Sequence, residues 1–428
     1  MANAAQASAY ELFQISKNGK VVDITGQDPY GARTTSFDYY ESILSPNITA
    51  VLSVMDIGGT TSYNQDYDRQ SRTGTLSSAL PLTGDANVSF KIRSKLGTLN
   101  FTRKPLLFDK QLNPDQQSNR EAIMMNLVSS AAKSSGESTV SKNYTGNIGN
   151  SVQQLVKEYL PGYNLTVDRV SNSYSFGGYS ERVFDLICRL LCPRSVPAKG
   201  NPGYFFYETQ DGLNFRSIDS LISQSPVAEY FRTDVLRSGV ETDENDFKIA
   251  LKSDIKRGDL VTGLVAGVYQ SKNFFWNPQT FKYEEEIFKL DNLDVSLGKN
   301  IEIPTVASPS KFHFHFKDIG VLSPSVKADI NNDPKNWQAK STMRYNSLFS
   351  QIIQIQVPCN PNLRAGNVIK CNFEVITQNN KVQGVADPVN SGHYLIANLC
   401  HHFDPLRSFT SMTLVRDSYG LYTNKNKK

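Results

Sequence analysis

The sequence predicts an α+β protein that is mainly β, with strand-rich stretches at both ends and an α+β region inserted between them. Three observations predict this. Alternating apolar residues broken by Gly and Asn turns fill residues 8–108. Helically spaced apolar residues enter in 109–245. Strand alternation returns in 246–290 and 340–423, around a Pro- and Asn-rich insertion at 291–339 that the pattern does not assign. The chain has 428 residues, room for roughly two to four domains.

The elements follow in order. "YELFQIS" and "KVVDIT" flank the turn "KNGK", a hairpin signal. "ITAVLSVMDIG" is a β-branched run closed by Gly58 and Gly59. "LTGDANVSFKI" places Val88, Phe90 and Ile92 on one face, and "GTLNFTR" ends a set of five or six strands, enough for a small barrel or sandwich. After Phe108 the character changes. "SNREAIMMNLVSSAAKSS" reads as a helix capped at Ser118 or Asn119, and the polar stretch from Ser134 to Asn150 as a flexible loop. "NSVQQLVKEYLPG" is a helix stopped by Pro161, and "SERVFDLICRLLCP" is a second one. "GYFFYETQDGLNFRSID" reads as a hairpin turning at Asp211 and Gly212. From Asp246 onward strands surround a Lys-Arg-Gly-Asp turn, "MRYNSLFSQ" is a short helix, and the chain ends in strands. "LTGDANVSFKI" and "LRAGNVIKCNF" share the order Leu, turn, Gly, strand, a hint of two related barrels.

Composition excludes several classes. Lys plus Arg is 45 against 41 for Asp plus Glu, a formal charge of +4. No basic face for nucleic acid is visible, and the run "NKNKK" reads as a solvated tail. No stretch reaches the ~20 apolar residues of a membrane helix, and "MANAAQASAY" lacks a signal peptide's basic and apolar regions. Five cysteines argue for free thiols in a reducing compartment. The sequons at Asn47, Asn87 and Asn100 read as chance matches.

Four stretches carry residue types suited to chemistry. "NLCHHFD" holds Cys400, His401 and His402 in a strand from Tyr394 to Phe403. Strand parity points the two histidines apart, groups Cys400 with His402 and Ile396, and sets His401 with Leu395 and Leu399. The plain reading is a strand fading from buried to exposed. "KFHFHFKD" puts His313 and His315 on one face, able to share an ion, and Phe312, Phe314 and Phe316 on the other. Its plain reading has Phe inward and His outward. Cys188 and Cys192 sit four apart on a helix and read as small buried hydrophobes. "ETDENDF", from Glu241 to Phe247, lacks the Gly and terminal Glu of a calcium loop. No set has the three or four spaced ligands of a zinc site, and no nucleophile, phosphate-loop or dinucleotide motif occurs. The residues therefore assign no catalytic, cofactor-binding or metal site and no required cofactor.

"SFDYYESILSPNITAVLSVMDIG", "PGYFFYETQDGLNFRSIDSLI", "MRYNSLFSQIIQIQVPCNPNLRAGNVIKC" and "SGHYLIANLCHHFDPLRSFTSMTLVRDSYG", in this order, resemble the baseplate central hub protein of T4-like contractile-tailed bacteriophages. The head of type VI secretion spike proteins is similar. The resemblance implies two tail-tube-like antiparallel β-barrel domains, 8–108 and 246–290 with 340–423, around the α+β insert. It implies a structural protein of the virion tail baseplate, assembled in the host cytoplasm and not an enzyme. A homotrimer would join the sixfold tail tube to the threefold central spike. Its partners would be the spike, tail tube or tube-initiator proteins and a tape-measure protein. Viral DNA would pass through its lumen without sequence-specific binding. In this frame "NLCHHFD" is one arm of a closing strand pair whose other arm is "SFTSMTLVRD". The rival classes are a metal-dependent enzyme on a β-scaffold, using His313, His315 and His401 or His402, and a carbohydrate-binding module using the 20 Tyr and 2 Trp.

Overall fold

The computed structural model describes residues 7–64, 70–80, 82, 84–117, 120–232, 244–258, 260–290, 295–298, 306–317, 333–375 and 385–420. The tail "NKNKK", Glu241 to Asp243 of the acidic loop and much of 291–339 lie outside the described residues.

The first part of the chain makes β1 (Ala9–Lys17), β2 (Lys20–Asp23), β3 (Arg33–Ser42), β4 (Thr49–Asp56), β5 (Thr60–Asn64), β6 (Gln70–Gly74), β7 (Asn87–Arg93), β8 (Thr98–Asn100), β9 (Leu106–Gln117) and β10 (Arg120–Val128). The β1–β2 hairpin turns at Asn18 and Gly19, both at positive φ (50° and 75°), as a two-residue turn requires. The strands run in the order β3-β4-β10-β9-β7-β1-β2-β5-β6, with β8 on β7. Beyond β2 the chain meets β3 again: Thr25 bridges Arg33, and the Thr34 N–H donates to the Ile24 carbonyl at 2.9 Å. The sheet thus curls back on itself around Phe13, Phe37 and Phe90, all fully buried, with the Phe37 and Phe90 rings 4.7 Å apart.

Residues 120–128 correct the expected helix. They form β10, paired with β4 and β9, and only Ser130–Glu137 is helical. Alternate residues Glu121, Ile123, Met125 and Leu127 are buried. Partner strands on both sides override the helix preference of Ala, Met and Glu.

The middle region is α+β. The expected loop from Ser134 to Asn150 instead holds the end of that helix, β11 (Asn143–Tyr144) and the start of helix Ile148–Tyr159. Asn147 caps the latter by accepting from the Gly149 and Asn150 N–H groups. β12 (Leu165–Val167) and β13 (Phe176–Gly177) precede a helix that opens as Val183–Asp185, widens to a π turn over Leu186–Leu191 and ends as Cys192–Arg194. β14 (Tyr204–Thr209) and β15 (Gly212–Ser217) form the expected hairpin, and helix Ile218–Ile222 leaves it.

The last part holds β16 (Glu229–Arg232), β17 (Leu251–Arg257), β18 (Gln270–Asn277), β19 (Lys282–Lys289), β20 (Lys311–Phe316), helix Gln338–Leu348, β21 (Gln351–Pro358), β22 (Val368–Phe373), β23 (Gly392–Phe403) and β24 (Ser408–Arg416). Residues 260–266, read as strand from sequence, are a helix with no buried side chain. β19-β18-β20 is a separate three-stranded sheet. The others run β16-β22-β23-β24-β21-β17, and this sheet also returns on itself: Phe231 bridges Lys248, and the Ile249 N–H donates to the Phe231 carbonyl at 2.8 Å.

The two curled sheets repeat one plan. β7-β9-β10-β4-β3 and β22-β23-β24-β21-β17 have the same chain order and the same spatial order, all antiparallel. β1 and β16 occupy the next place but run in opposite senses, β1 antiparallel to β7 and β16 parallel to β22. The ladders match in register. Phe108 bonds Asp85 and Ala86, pairs Leu127 and through it Ala50 and Tyr39. Ile396 bonds Gly366 and Asn367, pairs Leu414 and through it Ile353 and Asp254. Each ladder then slips by one residue at the next position, at Asp109 in β9 and at Ala397 in β23. The two segments with the Leu-turn-Gly order end as β7 and β22, which hold equivalent places.

Candidate functional site

The stretch "NLCHHFD" joins the two sheets. Before the bulge, β23 pairs with β22, from Val368↔Leu395 to Cys371↔Gly392. After it, the same edge pairs with β3 of the first sheet, from Asn398↔Ser42 to Phe403↔Phe37. β24 covers the other edge throughout, as the expected hairpin partner. Asp404 closes that hairpin, its Oδ1 accepting from the Leu406 and Arg407 N–H groups at 2.7 Å each.

The bulge corrects the parity. Ile396 faces the same core as Leu399, while Leu395 faces another with Ala397. A strand read as regular from Tyr394 to Phe403 cannot give that, because one extra residue inverts every later side chain. Nor does the strand fade to an exposed end. His401 is fully buried, stacked on Tyr39 at 6.0 Å and hydrogen-bonded through Nδ1 to Thr410 Oγ1 at 2.9 Å. Burial pushes its pKa down to about 3, so it is neutral. His402 lies on the opposite face, with Nδ1 2.5 Å from Asp38 Oδ1 and Nε2 3.4 Å from Asp404 Oδ2. Burial pushes the Cys400 thiol up to about 12.

The other candidates are also accounted for by packing. β20 reverses the expected orientation: Phe312, Phe314 and Phe316 are exposed, the last two at 77% and 78%, and the histidines turn inward. The inner face of the three-stranded sheet covers buried Asn273 and Phe275, and His315 Nε2 lies 3.1 Å from Asn273 Oδ1. Its pKa falls to about 4 through burial and then the neighbouring His313. Phe274, Tyr283 and Trp276 share the outward face with the three phenylalanines. Cys192 is buried in the insert's core, where burial raises its thiol well above the usual range. Asp246 of the acidic loop is buried and paired with Lys95 at 2.6 Å. Among the described residues no three His, Cys, Asp or Glu side chains are grouped to hold a metal. His313 and His315 lie in the three-stranded sheet, and His401 and His402 in the seam strand.

The sequence reading missed the groups that lock the regions together. Glu41, on β3 at the seam, is buried. It accepts from Tyr39 OH (2.8 Å), the Gln210 N–H of the insert (2.8 Å) and the Ala365 N–H of the second sheet (2.9 Å). Glu208 ties the insert to the first sheet, accepting from the Ile48 N–H at 3.1 Å and Ser129 Oγ at 2.5 Å. Burial raises its carboxyl to about 7. Arg344 is fully buried between Asp219 (2.6 Å) and Asp417 (2.9 Å). Its partners come from the insert and from the end of β24, positions too far apart in sequence to form a motif.

The arrangement is one of interfaces within the chain: a shared strand and buried polar clamps. No family model matches the sequence, and no curated protein matches it. Solved structures do match. A tail protein from Neisseria meningitidis MC58 is 11% identical over 96% of this chain and 97% of its own, with a TM-score of 0.52. The 43 kDa tail protein of prophage MuSo2 from Shewanella oneidensis is 10% identical over 95% of this chain and 99% of its own, with a TM-score of 0.54. The E. coli c3393 protein, a component of the type VI secretion system, covers 96% of this chain and 77% of its own at 11% identity and a TM-score of 0.45. From end to end, this chain has the fold of phage tail proteins.

Proposed function

We propose that the chain is a structural subunit of a contractile phage tail, the central hub of its baseplate. The observation that carries this is the full-length likeness to the prophage MuSo2 tail protein, at a TM-score of 0.54. The repeated sheet supports it, because two like barrels in each of three chains present six similar units to a sixfold tube and three chains to a threefold spike. In this reading the protein is a homotrimer in the virion, assembled in the host cytoplasm. It meets the spike on one side and tail tube, tube-initiator or tape-measure proteins on the other, and DNA passes through its lumen without being read. It has no catalytic centre and needs no cofactor.

Electron microscopy of the purified full chain, alone and mixed with the same phage's spike protein, tests this. Rings of three subunits are expected in at least one sample. Strict monomers in both, well above micromolar concentration, overturn it. The outward aromatic face of the three-stranded sheet favours carbohydrate binding as a second reading, since sugars stack on such rings. Glycan-array binding abolished by Phe314→Ala, in a protein that stays monomeric, would establish that reading in place of the first.

A further inference from the structure

We infer that the cavity between the first sheet and the insert binds a small ω-aminocarboxylate, its ammonium held by Glu208 and Gln210 and its carboxylate by Arg103 and Lys104 at the rim. Such a site serves a monomer and a ring subunit alike.

The cavity, about 170 Å³, lies where residues 101–105 lead from β8 into β9 and meet the turn between β14 and β15. Ile48, Phe101, Pro105, Leu106 and Tyr163 give it apolar walls. An apolar cavity of roughly 150 Å³ holds a molecule the size of benzene, so this one takes a short carbon stem. Several of its polar groups are engaged within the chain. Ser130 Oγ lies 2.6 Å from Tyr163 OH, Asn100 Oδ1 accepts from Thr102 Oγ1 at 2.9 Å, and Thr209 Oγ1 donates to the Gly212 carbonyl at 3.3 Å. Two acceptors that line the cavity are not engaged. Glu208 is only 4% exposed, and its Oε2 takes both of its hydrogen bonds, from the Ile48 N–H and from Ser129 Oγ. Among the described residues nothing donates to its Oε1. Gln210 Oε1 is buried without a partner.

Two unpaired acceptors in one cavity call for a donor, and an ionised carboxylate calls for a cation. Lys104, whose charge acts on Glu208, is directed elsewhere: its Nζ sits 4.4 Å over the Tyr163 ring. Burial therefore prevails and lifts the Glu208 carboxyl to about 7, with the charge of Glu41 pushing the same way and that of Lys104 against it. The neighbouring phenols of Tyr39 and Tyr163 are themselves pushed up by burial and stay neutral. An ammonium entering the cavity supplies both the donor and the cation. At the rim Arg103 and Lys104 are exposed and bring two positive charges, which repel a plain amine and attract a carboxylate. A short stem with an ammonium at one end and a carboxylate at the other meets both demands. A lysine inside a protein chain brings only neutral backbone to that rim.

Isothermal titration calorimetry of the full chain with 6-aminohexanoate tests this. Saturable binding is expected at pH 8. Hexanoate, which lacks the ammonium, and Nα-acetyl-lysinamide, which lacks the carboxylate, should each bind about tenfold more weakly. Between pH 8 and pH 6 the affinity for 6-aminohexanoate should fall about tenfold, because the ionised fraction of Glu208 falls by that factor across a pKa of about 7 while the two charges of the ligand do not change. Glu208→Gln keeps an acceptor for the Ile48 N–H and Ser129 and should remove both the binding and its pH dependence. Arg103→Ala, at an exposed position, should weaken binding about threefold with an unchanged circular dichroism spectrum. Absence of binding by the parent chain at millimolar ligand, or equal binding by the folded Glu208→Gln variant, overturns the site. Equal binding of Nα-acetyl-lysinamide, with no loss in Arg103→Ala, overturns the aminocarboxylate in favour of a lysine side chain.

Discussion

The second strand of the shared plan has opposite fates in the two sheets. In the first sheet β3 lies between β4 and β23, and its Phe37 and Tyr39 are buried. In the second, β17 is paired on one side by β21, and every one of its residues is exposed or half-buried. The connections that follow also differ. Residues 43–48 carry β3 straight into β4, whereas residues 258–350 separate β17 from β21 and carry the three-stranded sheet and the helices Leu260–Ala266 and Gln338–Leu348. One topology thus serves two ends: a sheet joined on at β3 by β23, and a sheet enlarged by an excursion between β17 and β21. Apolar alternation marks the strand that is covered within the chain, and it is weak in β17, where no residue is buried.

The largest expected effect separates the sheets energetically. Arg344 binds Asp219 and Asp417 on the side of the second sheet and the insert. Arg344→Ala leaves both carboxylates buried without their cation, a loss of roughly 3–5 kcal/mol. Urea unfolding should then show the second sheet melting before the first. A single unchanged transition would mean that the clamp does not distinguish them.

A smaller effect tests the seam itself. The folded-state pKa of His401 is depressed to about 3, against an ordinary value of 6.5. The neutral ring is the form that packs, so this stabilisation is complete above about pH 6.5 and is lost progressively as pH falls toward 3. His401→Phe should make the stability of the chain less dependent on pH across that window, measured by urea midpoints at pH 7 and 4. An unchanged pH slope would place the acid-sensitive group elsewhere.

The smallest effect concerns the exposed ion pair between Asp211 of the insert and Arg364 of the second sheet, 3.0 Å apart with the aspartate 73% exposed. Asp211→Asn should cost less than about 0.5 kcal/mol by thermal melting. A larger loss would make this contact part of the joint rather than its rim.

Much of this was legible locally. The "KNGK" hairpin, the helix stopped by Pro161, the β14–β15 hairpin and the β23–β24 closure all rest on turn and helix-end chemistry within a few residues. The Leu-turn-Gly segments pointed to strands in equivalent places. β10 was misread because Ala, Met and Glu favour a helix and only distant partners make them a strand. The seam left no local trace, since its pairing partners, β3 and β23, lie at opposite ends of the chain. A single-residue bulge at Ala397 then undid the parity on which the histidine assignment rested. Glu41 and Arg344 were invisible for a related reason: each is one charged residue whose partners come from other parts of the chain.

The shared strand also bears on how the molecule is made. β3 leaves the ribosome long before the strand that covers its edge, Gly392–Phe403. Until that strand is made, the first sheet must wait with β3 uncovered by it, exposed to other nascent chains on the same message. Contacts of such long sequence separation form late and slowly. The polar residues alternating along β3, among them Ser36, Asp38 and Ser42, keep one of its faces hydrophilic during that interval. Synthesis of β23 is then the event that covers the edge of the first sheet.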